Sequence, residues 1–100
     1  MNLHSMKLVT IVCESVLEER IVEVLGECGA HGHTAFDVRG GGSQGTRSAD
    51  LVESGNLQIQ VIAKPAVAEV ILQRLHADFF RDYAMVAYVG EVSVLRPDKF

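Results

Sequence analysis

No run of basic residues occurs in this 100-residue chain: its nine Lys and Arg are scattered among thirteen Asp and Glu, and the net charge is −4 at pH 7. Nucleic-acid binding draws on clustered cations that displace counterions, so a nucleic-acid partner is not expected. No apolar stretch approaches the roughly 20 residues that span a bilayer. The polar segment from Met1 to Met6 leads into a short apolar run, unlike a secretion signal. Direct membrane insertion is therefore not expected, and a cytoplasmic location is. Cysteine is scarce as well. Cys13 and Cys28 do not make a disulfide framework and read as reduced thiols in or near the core. The side-chain sets of catalysis are missing too: there are no evident paired carboxylates, no Ser/His/Asp set and no activated Cys. The chain is not expected to be an enzyme. Four histidines are present, His4, His31, His33 and His76. Of these, only His31 and His33 are close enough to share a strand face. A metal site takes three or four ligands with a second shell behind them, so these read as surface residues and no metal is expected.

What is present is apolar and periodic. A length of 100 residues suits one domain, residues 1–100. The apolar share, 48%, is high for so small a protein, and part of that surface is expected to meet another subunit rather than water. Met6 to Cys13 (MKLVTIVC) reads as a buried strand. Ser15 with Glu18 has the form of a capping box opening a helix. Leu17, Ile21, Val24, Leu25 and Cys28 line one face of that helix, Glu18, Glu19, Arg20, Glu23 and Glu27 lie mostly away from it, and Gly29 stops it. Gly32 to Arg39 reads as a second strand, and residues 40–55 (GGGSQGTRSADLVESG) as a long flexible loop, a feature usually tied to function in compact domains. Asn56 to Ala63 alternates as a third strand. Pro65 opens a second helix with a stripe of Val67, Ile71, Leu75 and Phe79, widened by Val70 and Leu72. Ala84 to Leu95 makes a last strand, with Gly90 as a candidate bulge. The order βαββαβ predicts an α+β, ferredoxin-like fold: a four-stranded antiparallel sheet with two helices on one face. Three copies packing their bare sheet faces together would cover the other side, which predicts a homotrimer.

The segment Arg39-Gly40-Gly41-Gly42-Ser43-Gln44-Gly45-Thr46-Arg47 carries the chemical signal. Glycines let backbone N–H groups approach an anion. Ser43 and Gln44 add neutral donors, and Arg39 and Arg47 can grip phosphate or carboxylate with paired bonds. This is neither a P-loop, since no Gly-Lys-Ser/Thr and no helix follow, nor a dinucleotide fingerprint. On composition alone it is either a phosphate cradle or a solvated hairpin connection.

Gly32-His33-Thr34-Ala35-Phe36-Asp37-Val38-Arg39-Gly40-Gly41-Gly42-Ser43-Gln44 resembles the second strand and loop base of PII signal-transduction proteins. Two further segments are similar to the branch of that family tied to inorganic carbon, the SbtB and carboxysome-associated PII proteins. They are Gly40 to Ser48 (GGGSQGTRS) and Phe80-Arg81-Asp82-Tyr83-Ala84. The resemblance implies a trimeric regulator that binds adenine nucleotides in clefts between subunits and signals through residues 40–55. It implies Thr34 near the adenine or ribose, and Ile62 and Ala63 offering backbone groups to the adenine. Arg39, Gly40, Gly41, Gly42, Ser43 and Gln44 would surround the phosphates, with Arg47 reaching back to them. A second ligand, bicarbonate, would use Gly41, Gly42, Ser43, Gln44 and Arg47. Prototypical members carry Gly-Asp-Gly-Lys before the last strand and an arginine before the loop glutamine. This chain has Arg81-Asp82-Tyr83-Ala84 and Ser43 there, so ADP or AMP is expected to bind at least as well as ATP, with no tightly held cofactor. The uridylylated tyrosine and the cysteine-pair tail found in relatives are not expected to have counterparts. A membrane bicarbonate transporter or a carboxysome component is the implied partner. Two other readings share the fold, an acylphosphatase-like enzyme and a CutA-like metal-binding trimer. The first lacks its phosphate-loop Arg at Glu14-Ser15, and the second does not need the Gly40–Gln44 segment.

Overall fold

Alternating and β-branched residues place the chain's most apolar stretch at the middle of a sheet. β1 runs from His4 to Glu14, and the computed structural model describes residues 1–42, 45–46 and 55–100. β1 pairs antiparallel with β5 (Asn56–Ala63) on one side and with β6 (Val86–Val94) on the other. β2 (Thr34–Val38) pairs antiparallel with β5 and forms the far edge, giving the order β2-β5-β1-β6. Between β2 and β5 lies a separate two-rung ladder of β3 (Gly41–Gly42) and β4 (Gly45–Thr46). The expected βαββαβ order and four-stranded antiparallel sheet are both present.

One face of the sheet is the core. Val9, Ile11 and Cys13 of β1 stand in register with Val61, Ile59 and Leu57 of β5, and all six are at most 2% exposed. α1 (Glu18–Glu27) adds Ile21, Val24 and Leu25 to the same cluster, and α2 (Pro65–Asp78) adds Ala68, Ile71 and Leu75, with Phe79 just beyond. Burying each such side chain contributes roughly 1.5–3 kcal/mol. Both helices therefore cover one face, as periodicity predicts. Cys28 is half-buried, and burial pushes its thiol above the ordinary range.

Four local expectations are corrected. Ser15 is not a helix N-cap. It begins a 3₁₀ turn, Ser15–Leu17, and neither that turn nor α1 has a side-chain cap. The Ser15 N–H instead donates to the Gly55 carbonyl at 2.9 Å, and this holds it in a seam with the returning chain. Gly90 makes no bulge, because β6 pairs rung by rung from Val86 to Val94, with Gly90 opposite Leu8. Val70 is 42% exposed, and Ala68 takes the buried place. β2 and β6 are both shorter than expected. At the start of β6 the Met85 N–H turns back to the Tyr83 carbonyl.

The stop at Gly29 is as expected. Its φ is +100°, its N–H donates to the Gly26 carbonyl at 3.1 Å, and the Ala30 N–H donates to the Leu25 carbonyl at 3.0 Å. This doubly bonded ending suits a left-handed residue. A Cβ at 29 would lie 3.7 Å from Val67, so space is not the obstacle. Gly29→Ala is therefore expected to cost about 1 kcal/mol through backbone strain, lowering the melting temperature by about 4–8 °C. Gly26→Ala, inside α1 with open space around its Cβ, should shift it the other way by about 0.5–1 kcal/mol. Calorimetric melting of the two variants checks the pair of signs.

The opposite sheet face is left bare by both helices. It carries Leu8, Val12, Ile62, Val92 and Val94, all half-buried, with Phe36, Val86 and Tyr88 exposed. Tyr88 is thus not packed within one chain. A polar row crosses this face in register on all four strands: Thr34, Gln60, Thr10 and Tyr88.

Candidate functional site

The register brings four chain segments to one end of the sheet. Val38, the last residue of β2, pairs with Asn56, and Asn56 also pairs with Glu14. Here β2 exits through Arg39 and Gly40, the chain returns at Gly55, and the β1–α1 junction is bonded to it through Ser15. β6 starts two rungs away at Val86, opposite Val12, so the α2–β6 turn reaches the same end.

Arg39 and Gly40 are exposed here, and Asp37, Val38 and Arg39 line an open hollow. Among the described residues no carboxylate lies within 4.0 Å of the Arg39 guanidinium, so its charge is available to an anion. A Cβ at Gly40 would meet nothing within 4 Å. The expected structureless loop is corrected at its base. Gly41 pairs with Thr46 and Gly42 with Gly45 in a short antiparallel ladder. Ser43, Gln44 and Arg47 lie outside the described residues.

Thr34, Ile62 and Ala63 are elsewhere. Thr34 pairs with Gln60, Ile62 with Leu8 and Ala63 with Lys7. From Asn56 to Ile62 is six residues, or about 20 Å at strand rise. Thr34 is exposed, Ile62 half-buried and Ala63 buried. β2 covers β5 only from Asn56 to Gln60. Beyond Gln60 the β2-side edge of β5 has no strand beside it among the described residues, so backbone groups there are open to a planar hydrogen-bonding ligand. Among the described residues, the glycine-and-arginine end and the Thr34/Ile62/Ala63 end with its open strand edge therefore lie apart along β5.

All four histidines are exposed, and among the described residues no three His, Cys, Asp or Glu side chains converge to hold a metal. No helix among the described residues is long and apolar enough to cross a membrane. Local pattern gave no sign of Arg20, whose Nη1 donates to the Tyr83 hydroxyl at 3.0 Å, because the two lie 63 positions apart. Only the tertiary fold brings α1 to the α2–β6 turn.

Solved structures resemble the chain throughout. A protein of Thermus thermophilus described as a PII-like signaling protein is 46% identical, with 100% of this chain and 99% of that one covered and a TM-score of 0.85. CPII of Thiomonas intermedia, described as a nitrogen regulatory PII-like protein, was solved with ADP, AMP and bicarbonate. It aligns at a TM-score of 0.90 and 24% identity over 99% of this chain and 96% of that one. CPII with ADP and bicarbonate aligns at 0.88 and 25% identity, over 99% and 97%. The family model for nitrogen regulatory protein P-II matches residues 6–99. These matches set aside the acylphosphatase-like and CutA-like readings, in favour of a family of regulators rather than enzymes. With the sheet order, the glycine exit from β2 and a match across nearly every residue in agreement, the chain belongs to the P-II family.

Proposed function

We propose that this chain is an adenine-nucleotide and bicarbonate sensor working as a homotrimer. The observation that carries the reading is the division of the predicted ligand residues into two ends about 20 Å apart along β5. Thr34, Ile62 and Ala63 of one copy complete a cleft with Arg39, Gly40, Gly41 and Gly42 of the next, joined by Ser43, Gln44 and Arg47. The bare apolar sheet face is what three copies bury. Residues 1–100 act as one domain, and residues 40–55 form the signalling loop. Nucleotide contacts select among its shapes, and a partner binds one shape better than another.

ADP and AMP bind at least as well as ATP, because this chain has Ser43 and Ala84 where other members carry an arginine and a lysine. Bicarbonate sits beside the phosphates on Gly41, Gly42, Ser43, Gln44 and Arg47, by analogy with the CPII complexes. A cytoplasmic role in controlling a membrane bicarbonate transporter or a carboxysome component rests on the likeness of Gly40 to Ser48 and of Phe80 to Ala84 to the inorganic-carbon branch.

Thermal-shift and calorimetric titration with AMP, ADP, ATP and cyclic AMP, each with and without bicarbonate, tests the reading. ADP at 100 times its Kd is expected to stabilise the protein by about 2.7 kcal/mol. Bicarbonate should tighten ADP by the same factor by which ADP tightens bicarbonate, since linkage is reciprocal. A panel in which no adenylate moves the melting temperature sinks it.

A further inference from the structure

The turn between α2 and β6 is short, polar at its tip and exposed there at Phe80, Arg81 and Asp82, yet it is tied at its base. The Asp82 and Tyr83 N–H groups both donate to the Phe79 carbonyl, at 3.1 and 3.0 Å, and the Met85 N–H donates to the Tyr83 carbonyl at 2.9 Å. Phe79 itself is 1% exposed. Across from it, in the first turn of α1, Arg20 lies over two rings. Its Cζ is 4.8 Å from the Phe79 centroid and 5.7 Å from that of Tyr83, and its Nη1 donates to the Tyr83 hydroxyl. The rings themselves stand 6.2 Å apart, tilted by 44°. Among the described residues no carboxylate comes within 4.0 Å of this guanidinium. Its neighbours are aromatic faces and a phenol oxygen, a geometry that attracts a cation through the ring quadrupoles. Arg20 is therefore not one half of a surface ion pair of the kind that contributes little. Through both stacking and a hydrogen bond, it joins the start of α1 to this turn.

We propose that Arg20 is a positioning residue for the nucleotide cleft, clamping Phe79 and Tyr83 so that the Phe80–Met85 turn forms a fixed wall at the end of the sheet where Gly40 exits. This rests on the adenylate reading of that end. The turn has no lysine and no glycine pair to wrap a phosphate, so its contribution is shape: a preformed wall spares the ligand the cost of ordering it. The clamp acts through Tyr83, whose hydroxyl fixes the ring against α1, and through Phe79, whose ring anchors the turn in the core.

ADP titration calorimetry on Arg20→Met, Arg20→Lys and Tyr83→Phe, with melting of each ligand-free protein, tests the clamp. Arg20→Met keeps the stem and removes the charge and the donor. It should weaken ADP by roughly tenfold while the ligand-free assembly stays trimeric. Arg20→Lys keeps a cation over the rings and should recover most of the affinity, a rescue that a merely structural role does not produce. Tyr83→Phe keeps both rings and loses only the hydroxyl, so it should fall between wild type and Arg20→Met, and it carries the test if Arg20→Met does not fold. Amide hydrogen exchange at residues 82–85 should quicken in Arg20→Met without ligand. Wild-type ADP affinity in Arg20→Met, or in Tyr83→Phe where Arg20→Met is unfolded, overturns the clamp alone. Failure of the wild-type protein to bind any adenylate overturns the cleft and the clamp together.

Discussion

With Gly40 replaced by valine, ADP is expected to bind at least about a hundredfold more weakly, a loss near 2.7 kcal/mol, while the ligand-free protein melts as before. The stability half of this result follows from the geometry of one chain. A Cβ at position 40 enters open space, Gly29 is the one described glycine with a positive φ, and a β-branched residue suits extended backbone leaving a strand. Nothing among the described residues requires glycine there. What requires it, on the proposed reading, is the ligand: bare amides must come within hydrogen-bond distance of a phosphate, and an isopropyl group stands in that path. Calorimetry with ADP, beside a thermal melt without it, separates the two halves. Unchanged ADP affinity in Gly40→Val removes the β2 exit from the site. A large fall in melting temperature shows instead that position 40 serves the fold.

Val12→Asp is expected to give monomers and to abolish measurable ADP binding in one step. Val12 lies on the bare sheet face, in register with Gln58 and Val86, on the side away from the helix-covered core. An aspartate there is better tolerated by a single chain, in which Val12 is only half-buried. In a trimer it buries three unpaired carboxylates, each costing several kcal/mol. Mass measurement should give 10.9 kDa in place of three times that value, with the circular dichroism of the folded chain retained. Binding is lost because the Thr34/Ile62/Ala63 end and the Arg39–Gly42 end are separated by most of the length of β5 within one copy. A monomer that still binds ADP normally places the whole site in one chain. A persistent trimer removes the bare face from the interface.

How much of this was legible beforehand depended on whether the governing contacts were local. The span Asn56–Ala63 reads as a strand from its alternation alone, and the observed strand has the same bounds. Pro65 as the first residue of α2 and Gly29 as the stop of α1 are equally local signals and hold. Ser15 and Glu18 fail as a capping box because a distant residue, Gly55, takes the Ser15 N–H. Gly90 sits in an unbroken ladder because its partner Leu8 is more than 80 positions away and fixes the register. At the site, the glycine exit and Arg39 are visible as composition. The separation of Thr34, Ile62 and Ala63 from them is a matter of which rung each occupies, and becomes visible only once β2 and β5 are paired. Arg20 is invisible for the same reason: an arginine among glutamates on an exposed helix face looks like solvated charge until the fold lays it over Phe79 and Tyr83.

Val38 and Asn56 are neighbours on one rung, and Gly55 is bonded to Ser15 beside them. The insert that starts at Gly40 and ends at Gly55 therefore has both feet nailed to the same sill. Doubling the length of such an insert adds only about 0.6 kcal/mol of closure entropy, and the core described above is assembled from strands and helices on either side of it. On the proposed reading, the scaffold is thus indifferent to the message it displays. New words can be spliced between those two feet, longer or shorter and addressed to a different listener, without the house that carries them having to be rebuilt.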